Sequence, residues 1–369
     1  MQRQGEVKVA ILGVSGYAGM ELTRLLLHHP RLRKNPPLLL GRGEQPVPLT
    51  ELHPQLAGNN GSSSLAIEPF SWDLLKQRGV DLLFLATPHE QSRALAPEAL
   101  ARGLRVIDLS GAWRVENHAH RAVYNFHDND EARAAEVQAC SVYGLPELHR
   151  DRIRGAKLVA NPGCYSTSVI LALKPLVAAG WVDVERGIVC DAKSGVSGAG
   201  KAPSPTTHFM YAADNLSAYA VFGHRHLGEM LEQLGVGEEH LIFTPHLLPI
   251  PRGILSTVYL TLREKKTAAE VEACFRSFYA DSPLVRVFGS GGAAGMAAGA
   301  PGHAHRASTL PQIQYSVRTN YCDVGFRLAP DGRRCIVVSC LDNLLKGAAG
   351  QAVENMNLMC GWEEAEGLV

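Results

Sequence analysis

VKVAILGVSGYAGMELTRLLLHHP, running from Val7 to Pro30, is the stretch whose reading decides the fold. Val7 to Leu12 is apolar but for Lys8, as expected of a central parallel strand buried on both faces. Gly13-Val14-Ser15-Gly16-Tyr17-Ala18-Gly19 follows, and then a helix-compatible segment as far as Pro30. A small-residue loop between a strand and a helix lets the backbone approach a pyrophosphate, whose charge sits at the helix N-terminus. Gly13, Ser15, Gly16, Tyr17 and Ala18 are therefore a candidate dinucleotide cradle. The spacing is G-x-x-G-x-x-G, with Ser15 in the middle glycine's usual place. A tight turn that needs glycine only for steric reasons is the alternative.

Outward from that stretch, strand and helix alternate. Leu38 to Leu40 reads as a second strand, ending at Gly41-Arg42. An acidic residue here would suit the ribose hydroxyls of NAD, whereas Arg42 suits a 2′-phosphate, so the cofactor expected is NADP(H), with a solvated loop cation as the alternative reading of Arg42. Val80 to Ala86 is the next buried strand, ending in Thr87-Pro88-His89. A helix over Ser92 to Arg102 then precedes a strand over Leu104 to Leu109. Such alternation predicts an α/β fold with a doubly wound parallel sheet. Arg114 lies just past the last strand's carboxyl end, where open α/β sheets bind ligands. It is a candidate anion anchor, or else half of a structural ion pair. Asn117 to Arg133 is polar and reads as a surface excursion.

The second decisive stretch is LVANPGCYSTSVILALKPLVAAG, Leu158 to Gly180. Leu158 to Ala160 forms a short strand, Asn161-Pro162-Gly163 a sharp turn, and the rest a helix with Gly180 at its C-cap. Cys164 then falls in the first helical turn. Unpaired N–H groups and the positive end of the helix dipole favour its thiolate there, which makes it a candidate nucleophile. A buried structural cysteine is the bland alternative.

Beyond Gly180 strands outnumber helices, which predicts a second α+β domain of mixed sheet. Ile188 to Ala192 is a strand, followed by SGVSGAGKAPSPTTHF (Ser194 to Phe209), either a flexible linker or a backbone that hugs a ligand, the second favoured by its place between Cys164 and the histidine cluster. In GHRHLGE (Gly223 to Glu229), a helix starting near His226 puts Glu229 on the same face, where a carboxylate can orient the imidazole. No third or fourth ligand stands at recognised spacing from His224 and His226, so acid–base work is favoured over a metal and over a merely structural histidine pair. Phe243 to Pro251, Ser256 to Leu262 and Pro311 to Arg327 read as β-rich, with a helix over Ala268 to Phe278 between them. Residues 289–307 are Gly/Ala-rich and read as a surface loop. After a strand over Ile336 to Ser339, the segment from Asp342 to Gly361 reads as an amphipathic helix that returns to the first domain.

Composition sets outer limits. The 369 residues suit two domains, and 36 basic against 36 acidic residues give no field for nucleic acid or a membrane. Eight cysteines without a C-x-x-C pair suggest neither a disulfide framework nor a zinc ribbon. With no signal-peptide core and no apolar run of spanning length, the expectation is a cytoplasmic protein.

GVSGYAG, DLSGAWR, YGLPEL, NPGCYSTS, KSGVSGAG, GHRHLGE, FTPHLLPIPRGILST and DNLLKGAAGQAVENMN together resemble the N-acetyl-γ-glutamyl-phosphate reductases of arginine biosynthesis, over nearly the whole chain. The resemblance implies a Rossmann-type NADP-binding domain over residues 1–163, completed by a C-terminal helix over 341–369. It also implies a catalytic and oligomerisation domain over 164–340, forming a homodimer or homotetramer. It makes Cys164 the nucleophile, His226 the acid–base group and Glu229 its support. Pro88, Ser197, Gly198 and Asn343 join the cofactor site. Arg114, Asn161 and Arg225 are implied substrate contacts, with an acyl phosphate and inorganic phosphate as reaction partners. Reductases of aspartyl or aminoadipyl phosphate share this build and stand as the alternative. Two departures from the family pattern are the length of the 289–307 stretch and Gly41, where a hydroxyl residue is more usual.

Overall fold

The computed structural model describes residues 6–58, 61–289 and 310–369. The chain divides into two units, the first made of residues up to Gly163 together with Ala348–Val369, the second of Cys164–Gly347.

The first unit holds β1 (Val9–Leu12), β2 (Leu38–Gly41), β3 (Val47–Pro48), β4 (Ala66–Pro69), β5 (Leu82–Leu85), β6 (Arg105–Asp108), β7 (Ser141–Tyr143) and β8 (Leu158–Ala160). They form one eight-stranded sheet in the order β3-β4-β2-β1-β5-β6-β8-β7. Every neighbouring pair is parallel except β3 with β4. Every residue of β1 and β5 is buried, which is why both segments are continuous apolar runs. From β1 the chain first builds outward through β2 and later returns to β5 on the other flank. The order thus reverses beside β1, and the glycine loop leaves the carboxyl end of that strand, the usual ligand crevice of such sheets. The helix Gly350–Cys360 packs in this unit on the helices Tyr17–His28 and Pro146–Arg154. His29 and Asn357 join side chains at 3.1 Å, and Asn355 donates to the Gly144 carbonyl at 2.8 Å.

The return of the chain differs from expectation in one respect. The helix begins not at Asp342 but at Gly350, after a π-helical turn over Leu345–Ala349, and the first unit resumes at Ala348 rather than at residue 341. The reason is polar: Asp342 accepts the Arg318 N–H at 2.7 Å and Asn343 the Gly253 N–H at 2.8 Å, which hold these residues in the second unit.

The second unit contains β9 (Ile188–Gly195), β10 (Ser217–Ala218), β11 (Leu241–Leu248), β12 (Ile254–Thr261), β13 (Val285–Phe288), β14 (Cys322–Leu328) and β15 (Arg334–Leu341). The sheet order is β10-β11-β9-β12-β15-β14-β13. β9 with β11 and β13 with β14 run parallel and the other pairs antiparallel, so the sheet is mixed. The helix Cys164–Ala178 lies on β12, β14 and β15, and the helices Leu227–Leu234 and Ala268–Phe278 pack against it. Ser168 on that long helix reaches Ser256 at 2.9 Å and Ser339 at 3.1 Å, so its buried hydroxyl is paired. The stretch 311–327 is not β throughout. A short helix, Ile313–Ser316, precedes β14, and Arg318 with φ of 65° turns the chain between them. Of the Gly/Ala-rich stretch 289–307, everything from residue 290 lies outside the described residues.

Candidate active site

In the first unit the glycine spacing has a steric cause. Gly13 has φ of +101°, and a Cβ there would lie 2.2 Å from the Ala86 carbonyl oxygen; a Cβ on Gly19 would lie 2.2 Å from that of Gly13. The loop is thus drawn against the end of β5 and against its own helix, as the G-x-x-G-x-x-G pattern requires. Gly16 occupies the N-cap of Tyr17–His28 and supplies no side-chain cap, so first-turn N–H groups stand available to an anion. These residues fit a pyrophosphate. Arg42 is exposed immediately after β2, and Pro88 opens the helix His89–Ala101. Gly41 ends β2, and a Cβ there would lie 3.0 Å from Ile67 Cγ2.

The loop after β6 is rigid. Asp108 is fully buried and accepts both the N–H and the hydroxyl of Ser110; burial pushes its carboxyl pKa up. Arg114 is 7% exposed and donates to the Leu109 carbonyl at 2.7 Å. Arg93 lies over Trp113 and Phe126, 4.3 and 4.7 Å from the ring centroids. It pairs twice with Asp128, both at 2.7 Å. The polar excursion after Asn117 is therefore pinned at its far end, a contact that sequence spacing gave no means of finding. Asn161 is placed otherwise than expected for a substrate contact. It is fully buried, donates to the Ala348 carbonyl and accepts from Asn355, both at 3.0 Å, and so holds the turn before Cys164.

In the second unit Cys164 is the first residue of its helix and is partly exposed. Gly347 backs it: a Cβ there would stand 2.7 Å from Cys164 Cβ. Among the other cysteines, Cys190, Cys335 and Cys340 lie within the sheet, where burial pushes their thiols up.

His226 caps the helix Leu227–Leu234 with near-helical backbone angles, so the three-residue spacing to Glu229 is helical as expected. Glu229 is fully buried in the first turn. The helix that Cys164 opens touches the same loop: Ser166 donates to the His226 carbonyl at 3.3 Å, and Tyr165 meets His226 edge-on at 6.3 Å. Arg225 is exposed. His224 stands edge-on to Tyr165, Tyr219 and Phe243, and burial, then the Arg225 charge, lowers its pKa to about 4. Its place behind His226 was not legible as a separate role. Ser197 accepts from the amide of Asn343 at 2.9 Å, next to exposed Gly198. Among the described residues no group of three or more His, Cys, Asp or Glu side chains is arranged to hold a metal ion, and no helix is long and apolar enough to cross a membrane.

Residues 8–156 match the family described as semialdehyde dehydrogenase, NAD binding domain, and residues 164–343 that described as semialdehyde dehydrogenase, dimerisation domain. Fold and site thus define a two-domain dehydrogenase of the semialdehyde type, with a nicotinamide-cofactor domain and a domain used for oligomerisation. Aspartate semialdehyde dehydrogenase II of Vibrio cholerae superposes with a TM-score of 0.66 at 18% identity, over 97% of this chain and 99% of that one. A probable aspartate-semialdehyde dehydrogenase of Pseudomonas aeruginosa gives 0.64 at 22% identity, over 96% and 99%. At such identities the likeness is one of fold. N-acetyl-gamma-glutamyl-phosphate reductase of Desulfotalea psychrophila is 41% identical over 367 residues, 98% of each chain. That of Methanococcus maripaludis is 40% identical over 365 residues, 98% of this chain and 97% of its own. The chain belongs to the N-acetyl-gamma-glutamyl-phosphate reductase family.

Proposed function

We propose that the protein reduces N-acetyl-γ-glutamyl phosphate to N-acetylglutamate semialdehyde with NADPH, through a thioester on Cys164. The observation that carries this reading is Cys164 itself, the first residue of a helix, with Gly347 against its Cβ and other cysteines of its unit buried in the sheet. The helix N-terminus stabilises the thiolate, which attacks the acyl carbon and expels phosphate. Bound reduced nicotinamide supplies hydride to the thioester carbon. N–H groups of the first helical turn, with His226, would stabilise the oxyanion that results. His226 gives a proton to that oxygen and takes it back as the C–S bond breaks, which releases aldehyde and restores the thiolate. The proton consumed overall leaves with phosphate. Glu229 keeps the imidazole oriented.

Ser15, Gly16, Tyr17 and Ala18 would hold the pyrophosphate, Arg42 the 2′-phosphate, and the Ser197–Gly198 loop the nicotinamide end, with Pro88 lining the first unit's cleft. Arg114 and Arg225 would meet the substrate's anionic groups. A site shaped for a neutral amide gives no reason to accommodate a free ammonium, and a missing methylene typically costs about 1–3 kcal/mol. The test is phosphate-dependent reduction of NADP and of NAD with N-acetylglutamate semialdehyde and with aspartate semialdehyde. The N-acetyl substrate should lead by at least about a hundredfold in kcat/KM, with NADP preferred. Comparable constants for the two aldehydes would assign the protein to a broader semialdehyde specificity.

A further inference from the structure

Asn343 is 2% exposed, and both ends of its amide are engaged. Its Oδ1 accepts the Gly253 N–H at 2.8 Å, and its Nδ2 donates to Ser197 Oγ at 2.9 Å. The two loops it joins are also laced to each other by backbone. Gly195 N–H donates to the Gly253 carbonyl at 2.9 Å, Val196 N–H to that of Ile250 at 2.9 Å, and Ser197 N–H to that of Pro251 at 3.2 Å. The preceding residue grips the same turn, since Asp342 Oδ2 pairs with Arg252 at 3.2 Å while also accepting the Arg318 N–H. Asp342 and Asn343 thus seize one turn from consecutive positions. Of the two, Asn343 alone reaches on to the ligand-facing loop.

We propose that Asn343 is a positioning residue: it preforms the Ser197–Gly198 loop for the nicotinamide end of the cofactor and acts on that cofactor through the Ser197 hydroxyl, not by contact. The proposal rests on the reading of that loop given above. Its physical basis is preorganisation. A loop rich in glycine and serine loses conformational freedom when it closes on a ligand, and a buried amide that anchors it beforehand removes that loss from binding. The amide keeps a second N–H, but at 2% exposure that N–H has little access to a ligand.

The test is a double-mutant cycle read in cofactor binding, without acyl phosphate. NADPH dissociation constants are measured by fluorescence for the unmodified protein, Ser197→Ala, Asn343→Leu and the double variant. Each single change should weaken NADPH by on the order of three- to tenfold. The double should be no weaker than Asn343→Leu alone. Binding of 2′-phospho-ADP-ribose, which lacks the nicotinamide, should be unchanged throughout. In the cofactor-free protein, amide exchange at Gly253 should quicken in Asn343→Leu. Should that variant fail to fold, Asn343→Ser takes its place in the cycle. Multiplying losses in the double variant would mean that Asn343 meets the cofactor itself. Unchanged NADPH binding, equal weakening of 2′-phospho-ADP-ribose, or unaltered exchange at Gly253 would each overturn the proposal. Failure of the unmodified protein to bind NADPH would instead overturn the cofactor reading, and the exchange at Gly253 would still decide whether Asn343 clamps the turn.

Discussion

His224 Nδ1 accepts the backbone N–H of His226 at 3.1 Å, and the carbonyl of His224 accepts that of Leu227 at 3.0 Å. The His224 imidazole thus sets the backbone at the N-cap of the helix, the position that His226 occupies. The nitrogen turned to the helix carries no proton, so His224 serves as a neutral acceptor there, and the acid–base role proposed above stays with His226. Replacing His226 by Asn should lower kcat by on the order of 10²–10⁴ and remove one limb of the pH–rate profile. Replacing His224 by Asn, which keeps an acceptor near the same place, should lower kcat far less and leave both limbs. Steady-state rates of the two variants from pH 5 to 9 check the ranking, and the reverse order would exchange the two roles.

The same burial predicts how stability depends on acid. His224 falls from the ordinary 6.5 to about 4 in the folded protein because burial, and then the Arg225 charge, oppose protonation. Below pH 6.5 the unfolded chain takes up this proton and the folded one does not. The stabilisation is therefore complete above about 6.5 and is lost as pH falls towards about 4. Urea midpoints across that window should drop more steeply for the unmodified protein than for His224→Asn, by up to about one proton in the slope. Parallel slopes would show that His224 is not the group responsible.

Cys164 should be the cysteine whose loss abolishes turnover. It opens a helix and is partly exposed, whereas the thiols of Cys190, Cys335 and Cys340 are pushed up by burial in the sheet. Cys164→Ser should lose at least about a thousandfold in kcat. Iodoacetamide should inactivate the unmodified protein, with acyl phosphate protecting it and mass spectrometry placing the label on Cys164. Near-normal turnover by Cys164→Ser would rule out the thioester.

Gly347 offers a test of how closely Cys164 is backed. An added methyl would stand 2.7 Å from Cys164 Cβ and 3.2 Å from the Asp342 carbonyl oxygen. Gly347→Ala should cost about 1–3 kcal/mol through overpacking and slow alkylation of Cys164 as the helix start shifts. Thermal unfolding together with iodoacetamide kinetics measures both effects. A variant as stable and as reactive as the parent would mean that the two segments separate readily in solution.

The features legible in the residues alone are local and periodic. Apolar runs marked β1 and β5 because a strand buried on both faces has no polar side to show. The strand, turn and helix around Cys164 were legible because the Asn-Pro-Gly turn and an apolar helical segment lie within a few residues of it. Ala268–Phe278 was found to the residue, its start marked by the capping box of Thr267 and Glu270. Where long-range contacts competed with local pattern, the reading stopped short. Asp342 looked like the start of the helix, and one of its oxygens does accept the Leu344 and Leu345 N–H groups, but the other is held by Arg318 and Arg252 and the turn that follows is π-helical. Asn161 looked like a ligand contact, and it is sealed between Ala348 and Asn355.

Only the tertiary structure decided that Gly347 backs Cys164, that Asn343 ties Ser197 to Gly253, and that His224 sets the backbone of His226. Backbone sterics and burial periodicity act over a turn or two of chain and leave their mark on neighbouring residue types. The first two of these relationships join residues remote in the chain, and the second follows from the register in which β9, β12 and β15 pair. The third spans two residues, yet its donor and acceptor meet only because Tyr165 and Phe243 pack the His224 ring in place. A hydrogen bond of this kind asks only that a donor and an acceptor arrive together, and many residue types meet that demand, so it leaves no pattern in the sequence to read.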